Sequence, residues 1–421
     1  MKMSALVFLC AYLTIACGCS SKCSRHHEEP SLSEPLPPPV TSKPGPTNPF
    51  VSTEGTQFML NGSPWIFTGT NLYNLALTDN GPESSIEANL ASLSGYGEVV
   101  RIWGFCNGGW GSAKAIQPKV FEIEPGSLRR LDLALVAAAK HNIKLIIALV
   151  NFEPEYGGMD WYVQQVLGPG QDKELFYSDP KVKDAYKWYV SKLINRTNSV
   201  SGVKYADDPT IMAWELANEP HTTEKYELQR GKRPGDLVNE WVAEMSRFVK
   251  SIDSNHLVSN GEEGYLTVGG DAGHEWLSNG TKGVDFTRDL ATPDVDFGTV
   301  HFYADHWGIG FADRNWLLDH FVIERYAIAT SLGKPLVIEE FGYPPKGYED
   351  RATTLDEVYT FANKVGIPGT LVWRLTPNPY PGDFDFGLNS QEAAVVKNQA
   401  SYVKAHNKDT KQTKQTKQQT D

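Results

Sequence analysis

The sequence predicts an α/β fold, a single (β/α)8 TIM barrel, and two observations carry that prediction. Apolar runs rich in Val, Ile, Leu and aromatics recur eight times, without the strict alternation of a sheet that faces water on one side. Amphipathic stretches with helical spacing separate them, and no internal repeat or second composition block asks for another domain.

Taken in order, the strands are expected at "WIFTGTNLY" (65–73), "EVVRIWGF" (98–105), "KLIIALVN" (144–151) and "IMAWELAN" (211–218). Four more follow at "NHLVSNGEE" (255–263), "DFGTVHFY" (296–303), "PLVIEEFG" (335–342) and "GTLVWRL" (369–375). Helices are expected between them. In "GSLRRLDLALVAAAKHN", Leu128, Leu131, Leu135 and Ala138 share one face. "DPKVKDAYKWYVSKLINRTN", "GDLVNEWVAEMSRFVKSID", "RNWLLDHFVIERYAIATSLG" and "LDEVYTFANKVG" behave alike, and "QEAAVVKNQASYVKAHN" follows the eighth strand.

The ends of the chain differ in kind. "MKMSALVFLCAYLTIACGC" has Lys2, a short apolar run and small residues before cysteine, which reads as an export signal too short to span a bilayer. "LTIAC" and "IACGC" both resemble a bacterial lipobox, so Cys17 is the expected lipidation site and Cys19 the alternative. Proline density from Ser24 to Phe50 predicts a semi-rigid, disordered spacer, in which "HHEE" carries no metal site. The final "KDTKQTKQTKQQTD" has no apolar residue and is expected to be disordered. The expected layout is therefore a signal over 1–16, a linker over 17–50, a catalytic barrel over 51–407 and a tail over 408–421.

Composition narrows the function. The net charge is −12, and the segment from Lys404 to Asp421 holds five Lys against two Asp, leaving the rest near −15 (−12 minus +3). Such a body disfavours nucleic acid and anionic lipid as surface ligands and suits a neutral substrate. Four of the five cysteines precede Ser24, so only Cys106 lies in the barrel and no disulfide framework or cysteine-metal cluster is expected. No HExxH, zinc-spaced His/Cys set or phosphate-cradling glycine loop is present, so neither metal nor nucleotide is implied.

Barrels of this kind place their reactive groups at the carboxyl ends of the strands. In order, those ends carry Asn71 and Tyr73; Arg101 and Trp103; Asn151; Asn218 and Glu219; Glu262 and Glu263; His301 and Tyr303; Glu339 and Glu340; Trp373 and Arg374. Glu219 and Glu340 end strands four and seven, so one cleft can receive both carboxylates. Paired carboxylates across a cleft suit glycosidic bond cleavage, one as acid and one at the anomeric carbon. Glu215 competes with Glu219 for the cleft, and termination after Asn218 favours Glu219. Glu339, alternating with Glu340, is expected to be a buried paired acid. Glu262 and Glu263 are expected to support loops, and Cys106 to be packed.

"WELANEP" and "VIEEFG" resemble the acid/base and nucleophile motifs of glycoside hydrolase family 5. "GTNLYNL", "VVRIWGF", "YGGMDWYV", "GEEGY" and "GVDFTRD…VDFGTVHFYADHW" resemble its β-mannanase branch, over about Phe58 to Asn407. The resemblance implies double displacement with retention, Glu219 as an acid/base of raised pKa and Glu340 as nucleophile. It further implies that Arg101 and Tyr303 hold Glu340 ionised, that Asn218 bonds the sugar 2-hydroxyl, that His301 orients Glu219, and that Trp373 floors the −1 subsite. Trp103, Asn71 and Tyr73 fall on the glycone side.

Three positions depart from the branch. "NFEPEYGG" replaces an "NNW" pattern, Asn74 stands where tryptophan is common, and His221 stands where some relatives carry arginine. All three belong to outer subsites, so they bear on chain length rather than chemistry. The expected protein is a monomeric, cofactor-free hydrolase of β-1,4-mannan, glucomannan, galactomannan or mannooligosaccharides, lipid-anchored in a bacterial envelope or secreted. An exo-acting β-mannosidase, a β-1,4-glucanase and a non-catalytic carbohydrate-binding lipoprotein are the alternatives.

Overall fold

The computed structural model describes residues 49–271, 273–346, 350–380 and 384–420, with backbone only over 413–420. The signal, lipidation and most of the spacer expectations fall on residues 1–48, outside the described residues. Among the described residues, eight parallel strands form one sheet: β1 (Phe67–Asn71), β2 (Val99–Trp103), β3 (Lys144–Ala148), β4 (Ile211–Glu215), β5 (Leu257–Ser259), β6 (Gly298–Phe302), β7 (Leu336–Phe341) and β8 (Gly369–Val372). Neighbours run β5-β4-β3-β2-β1-β8-β7-β6. Between β5 and β6, Asp296 N–H donates to the Val258 carbonyl (2.8 Å) and His301 N–H to the Glu263 carbonyl (3.2 Å), so the sheet nearly closes into a barrel.

A helix follows each strand: α1 (Glu83–Leu93), α2 (Pro125–Lys140), α3 (Pro180–Ile194), α4 (Asp236–Ile252), α5 (Phe286–Ala291), α6 (Ile323–Ser331), α7 (Arg351–Val365) and α8 (Gln391–Thr420). Their starts are chemically marked. Asp179 caps α3 by accepting from the N–H groups of Lys181 and Val182 (2.9 and 3.2 Å), and Pro180 occupies the first turn, where no N–H partner is needed. Helix α8 corrects the expectation of a disordered tail, because it continues through Thr420. Its first half docks through Ala393, Val396 and Val403, and Lys and Gln extend a nucleated helix at little cost.

Two layers fill the barrel. At its amino end, Val99, Ile146, Met212, Leu257, Phe297, Val337 and Leu371 form an apolar plug. A three-stranded antiparallel hairpin (Ser52–Glu54, Gln57–Leu60, Ser63–Trp65) covers that end and inserts Phe58, 5.3 Å from the Phe67 ring and 5.4 Å from Phe297. At the carboxyl end the lining becomes polar and charged, and that change in the sequence marks the site.

Candidate active site

The site grows from Arg101, on β2 and 1 % exposed. A guanidinium has five N–H groups in a fixed fork, and here all five find acceptors. Nε and Nη2 grip the two oxygens of Glu215 (3.0 and 2.5 Å), and Nη2 also reaches Asn218 Oδ1 (2.6 Å). Nη1 donates to Asn71 Oδ1 (3.1 Å) and Glu340 Oε1 (2.6 Å). Glu339 Oε2 lies 3.5 Å from Nε. Two strands, β4 and β7, thus deliver three acids to one cation.

Glu215 therefore does not face the cleft; it anchors Arg101. Strand β4 ends at Glu215, and the extended chain then continues through a bridge between Asn151 and Asn218. Glu219 follows with φ +52° and donates its N–H to the Gly261 carbonyl (2.8 Å). A positive φ is uncommon for a side chain of this kind and tends to mark functional turns. Gly261 has to be glycine: a Cβ there would lie 2.1 Å from the Ala217 carbonyl oxygen and 2.6 Å from the Glu215 carboxyl carbon.

Across the cleft, Tyr303 O–H donates to Glu340 Oε2 (2.6 Å), so Arg101 and Tyr303 each hold one oxygen of Glu340. His301 Nδ1 lies 2.9 Å from Glu219 Oε1 and 3.6 Å from Glu340 Oε1. One oxygen from each glutamate and this nitrogen lie within 4.8 Å of one another. Each is engaged by the others, by Arg101 or by Tyr303. Glu219 is the more open acid, with 24 % of its side chain exposed against 5 % for Glu340.

The electrostatics reverse one expectation. Burial acts to raise the Glu219 carboxyl, yet the hydrogen bond and charge of His301, with help from Arg101, bring it below the ordinary range. For Glu340, burial and the neighbouring Glu219 charge outweigh His301, Arg101 and Tyr303, so its carboxyl is raised. Burial works against a charged His301, but Glu340, Glu219 and Glu339 together raise it well above the ordinary imidazole range. Both shifts favour the charged pair across the 2.9 Å contact between His301 and Glu219.

The aromatic candidates divide. Trp373 is partly exposed and lies parallel to Tyr73, at 4° and 5.6 Å. Behind it, Arg374 forks onto Asp385 (2.8 and 2.9 Å), tying down the chain after β8. Trp103 is only 6 % exposed and packs among Tyr73, Phe105 and Tyr156, so it backs the wall instead of lining it. Asn71 is fully buried: it accepts from Arg101 and donates to the Glu339 carbonyl (2.8 Å), which corrects its placement on the glycone side. Asn218, held by Asn151 (2.9 Å) and Arg101, stands beside Glu219 as expected.

Other neighbours are legible in the sequence only as outer-subsite or loop positions, or, like Tyr156, have no expected role. Tyr156, with φ +59°, packs on Tyr73 and Trp103 and donates to Asp79 (2.6 Å). The only trace in the sequence is the following Gly157-Gly158 pair. The Phe152 and His221 rings sit 3.7 Å apart by centroid, with Lys173 Nζ 3.4 Å above Phe152. Glu263, held by Tyr265 (2.6 Å), lies 3.8 Å from His221; burial and the Glu219 charge push it up to about 8. It reaches the site's edge, beyond the purely loop-supporting role expected. Cys106 is buried, and burial raises its thiol to about 12, as inert packing requires.

Comparison with known proteins decides the lineage. The profile of a family described as "GH family 5 beta-mannosidase-like" matches residues 48–365. The chain belongs to glycoside hydrolase family 5. This family 5 member is 35 % identical over 350 residues to mannan endo-1,4-beta-mannosidase 1 of Oryza sativa subsp. japonica, covering 77 % of this chain and 78 % of that one. Among solved structures, it is similar to an endo-beta-1,4-mannanase from Thermotoga petrophila (TM-score 0.73, 32 % identity, 82 % of this chain and 78 % of that chain). An endo-1,4-beta-mannanase from Rhizomucor miehei gives TM-score 0.73 at 30 % identity, over 85 % of this chain and 99 % of that chain. Family, barrel and hydrolase character therefore stand together.

Proposed function

We propose that this family 5 hydrolase is a retaining mannan endo-1,4-β-mannosidase. One observation carries the reading: Glu219 and Glu340 bring oxygens within 4.8 Å of each other, near the roughly 5 Å separation of retaining enzymes and short of the gap that a second water needs. The oxygens of Glu340 are fixed by Arg101 and Tyr303 (2.6 Å each), which suits an attacking group. Glu219 is more open and hydrogen-bonded to His301, which suits a group that exchanges protons.

In the first step Glu340 attacks the anomeric carbon and forms an ester. The glycosidic oxygen leaves with its electron pair and takes a proton delivered by Glu219. In the second, Glu219 as carboxylate removes a proton from water, whose oxygen displaces Glu340 and restores both acids. Asn218, oriented by Arg101 and Asn151, is placed to bond the 2-hydroxyl, a contact that strengthens as positive charge develops on the ring. Trp373 offers its indole face to the sugar's C–H groups. Substrate breadth across glucomannan and galactomannan belongs to this reading, as does lipid anchoring at Cys17 or Cys19 on the outside of a bacterial cell.

The test uses Glu340→Ala with azide and an activated β-mannoside. The product expected is the α-mannosyl azide, of inverted configuration, whereas Glu219→Ala with azide gives the β-azide. A folded Glu340→Ala that yields no azide adduct argues against the nucleophile. On mannohexaose, mixed short oligomers at early times support internal cutting; mannose alone from the start supports the exo alternative.

A further inference from the structure

We propose that Glu339, which contacts no substrate, is a positioning residue: it fixes which nitrogen of His301 carries hydrogen and so keeps a proton in reach of Glu219. The inference rests on the reading of Glu219 as acid.

Strand alternation would turn Glu339 away from Glu340. However, the pairing of β7 with β6 slips by one residue between Ile338 and Glu340, and such a bulge re-aims side chains. Both consecutive glutamates then reach His301. Glu339 Oε2 lies 3.2 Å from His301 Nε2, while Nδ1 faces Glu219 at 2.9 Å, and Glu339 and His301 are both fully buried.

An ionised carboxylate only accepts, so the Glu339 contact requires hydrogen on Nε2. Nδ1 is then left facing Glu219, with two possibilities. It accepts from a protonated Glu219, or, as imidazolium, it donates to an ionised one. Either way a proton lies between them, one transfer from the leaving oxygen.

What keeps Glu339 charged can be read from its surroundings. Burial raises its carboxyl, but Arg101 and His301 bring it below the ordinary range. Glu215 shares the same guanidinium and is pushed up to about 8 by burial, so of these two adjacent acids Glu339 is the one whose charge its surroundings favour. The other groups acting on His301 are Glu340 on β7, Glu219 beyond β4, and Glu262 and Glu263 beyond β5. Tyr303 donates to Glu340 Oε2, while Glu340 Oε1 stays 3.6 Å from His301 Nδ1. Among the described residues, Glu339 is the one hydrogen-bonded to Nε2.

The experiment compares kcat/KM for wild type, Glu339→Gln, Glu339→Asp and Glu219→Ala on two substrates. Mannotetraose needs its leaving oxygen protonated; 2,4-dinitrophenyl β-mannobioside does not. For Glu339→Gln the expected loss is about 100-fold on mannotetraose, the low end for general acid catalysis, and under tenfold on the activated substrate. Its alkaline limb on mannotetraose should move about one pH unit lower, since a counter-charge to the imidazolium is gone. Glu339→Asp should return the limb toward wild type.

Equal losses on both substrates, with the limb unmoved, overturn the inference. If Glu219→Ala separates the substrates and a folded Glu339→Gln does not, Glu339 fails and the acid assignment stands. If Glu219→Ala loses both equally, the acid assignment fails first. Should the Glu339 variants not fold, ring ¹⁵N spectra of histidine-labelled wild type decide. Hydrogen on Nε2 of His301 across the active pH range supports the proposal, and a neutral ring with hydrogen only on Nδ1 overturns it.

Discussion

Replacing Arg101 by Lys keeps the charge and removes the fork, which separates geometry from electrostatics. Five N–H groups now serve five acceptors on Glu215, Asn71, Asn218 and Glu340. An ammonium has three, so two buried acceptors lose their donor. At about 1.5 kcal/mol for each charge-assisted bond, the expected destabilisation is about 3 kcal/mol. With roughly 2.1 cal/mol/K per residue over about 370 residues, the unfolding entropy is about 0.8 kcal/mol/K, so the melting midpoint should fall by about 4 °C. Calorimetry at pH 6 reads the midpoint, and kcat/KM on mannotetraose should fall about 100-fold as Glu340 loses an orienting donor.

Arg101→Met goes further and leaves the acids without their cation, a loss of about 3–5 kcal/mol. Its sign with pH follows from Glu215, already raised to about 8. A carboxyl raised in the folded state favours folding below its ordinary range and loses that contribution as pH climbs through the folded value. Removing the cation raises it further, so the gap between Arg101→Met and wild type should stay nearly constant from pH 5 to pH 7 and widen as pH passes 8, where wild-type Glu215 ionises and the variant's does not. A midpoint for Arg101→Lys within 1 °C of wild type, with less than a tenfold loss of activity, would refute the view that the fork organises the site.

Two further changes test the surrounding charges. Tyr303→Phe removes a donor that lowers the Glu340 carboxyl, so the acid limb of kcat/KM should move to higher pH and the loss should be greater at pH 5 than at pH 7. Asp289, buried on α5 and raised by burial to about 8, should contribute stability only at low pH, fading as pH rises toward 8. Asp289→Asn should therefore gain about 1–3 kcal/mol in urea unfolding at pH 8 and almost nothing at pH 4; an equal effect at both would contradict the burial argument.

The barrel was legible because parallel strands buried on both faces leave uninterrupted apolar runs. Strand limits were less so. The segments expected over 211–218 and 255–263 end as strands at Glu215 and Ser259, because the following residues turn through positive φ at Glu219 and Gly261 and are held by scattered single contacts, without a ladder. Helix α1 was passed over because "ESSIEANLASL" offers Ile86, Leu90 and Leu93 among many small polar residues. The hairpin around Phe58 is built from strands of three or four residues, below what periodicity resolves. At the site, strand-end position was enough to gather Glu219, Glu340, Arg101, Asn218, His301, Tyr303 and Trp373. It did not distinguish a side chain at the cleft from one beneath it. Asn71 lies beneath because Arg101 occupies the space above, and a bulge at Glu339 leaves no mark in composition.

The same crowding bears on the proton that the chemistry needs. Glu215, Glu219, Glu339 and Glu340 surround Arg101 and His301, so full ionisation would leave four negative charges against two positive ones in a buried space. Such an excess is untenable without protonation. The structure distributes the load unevenly: Glu215 and Glu340 are raised, while Glu219 and Glu339, both on His301, are lowered. A substrate entering the cleft adds burial at the two open acids, Glu219 and Glu340. Glu340 keeps Arg101 and Tyr303 as fixed donors, so its charge is the one the site can sustain. Among the described residues, Glu219 has His301 as its side-chain hydrogen-bond partner, through a contact in which the proton can change sides. On the proposed reading, desolvation by the sugar should therefore draw the proton from His301 onto Glu219, arming the proposed acid at the moment of binding, while the guanidinium keeps Glu340, the proposed nucleophile, charged.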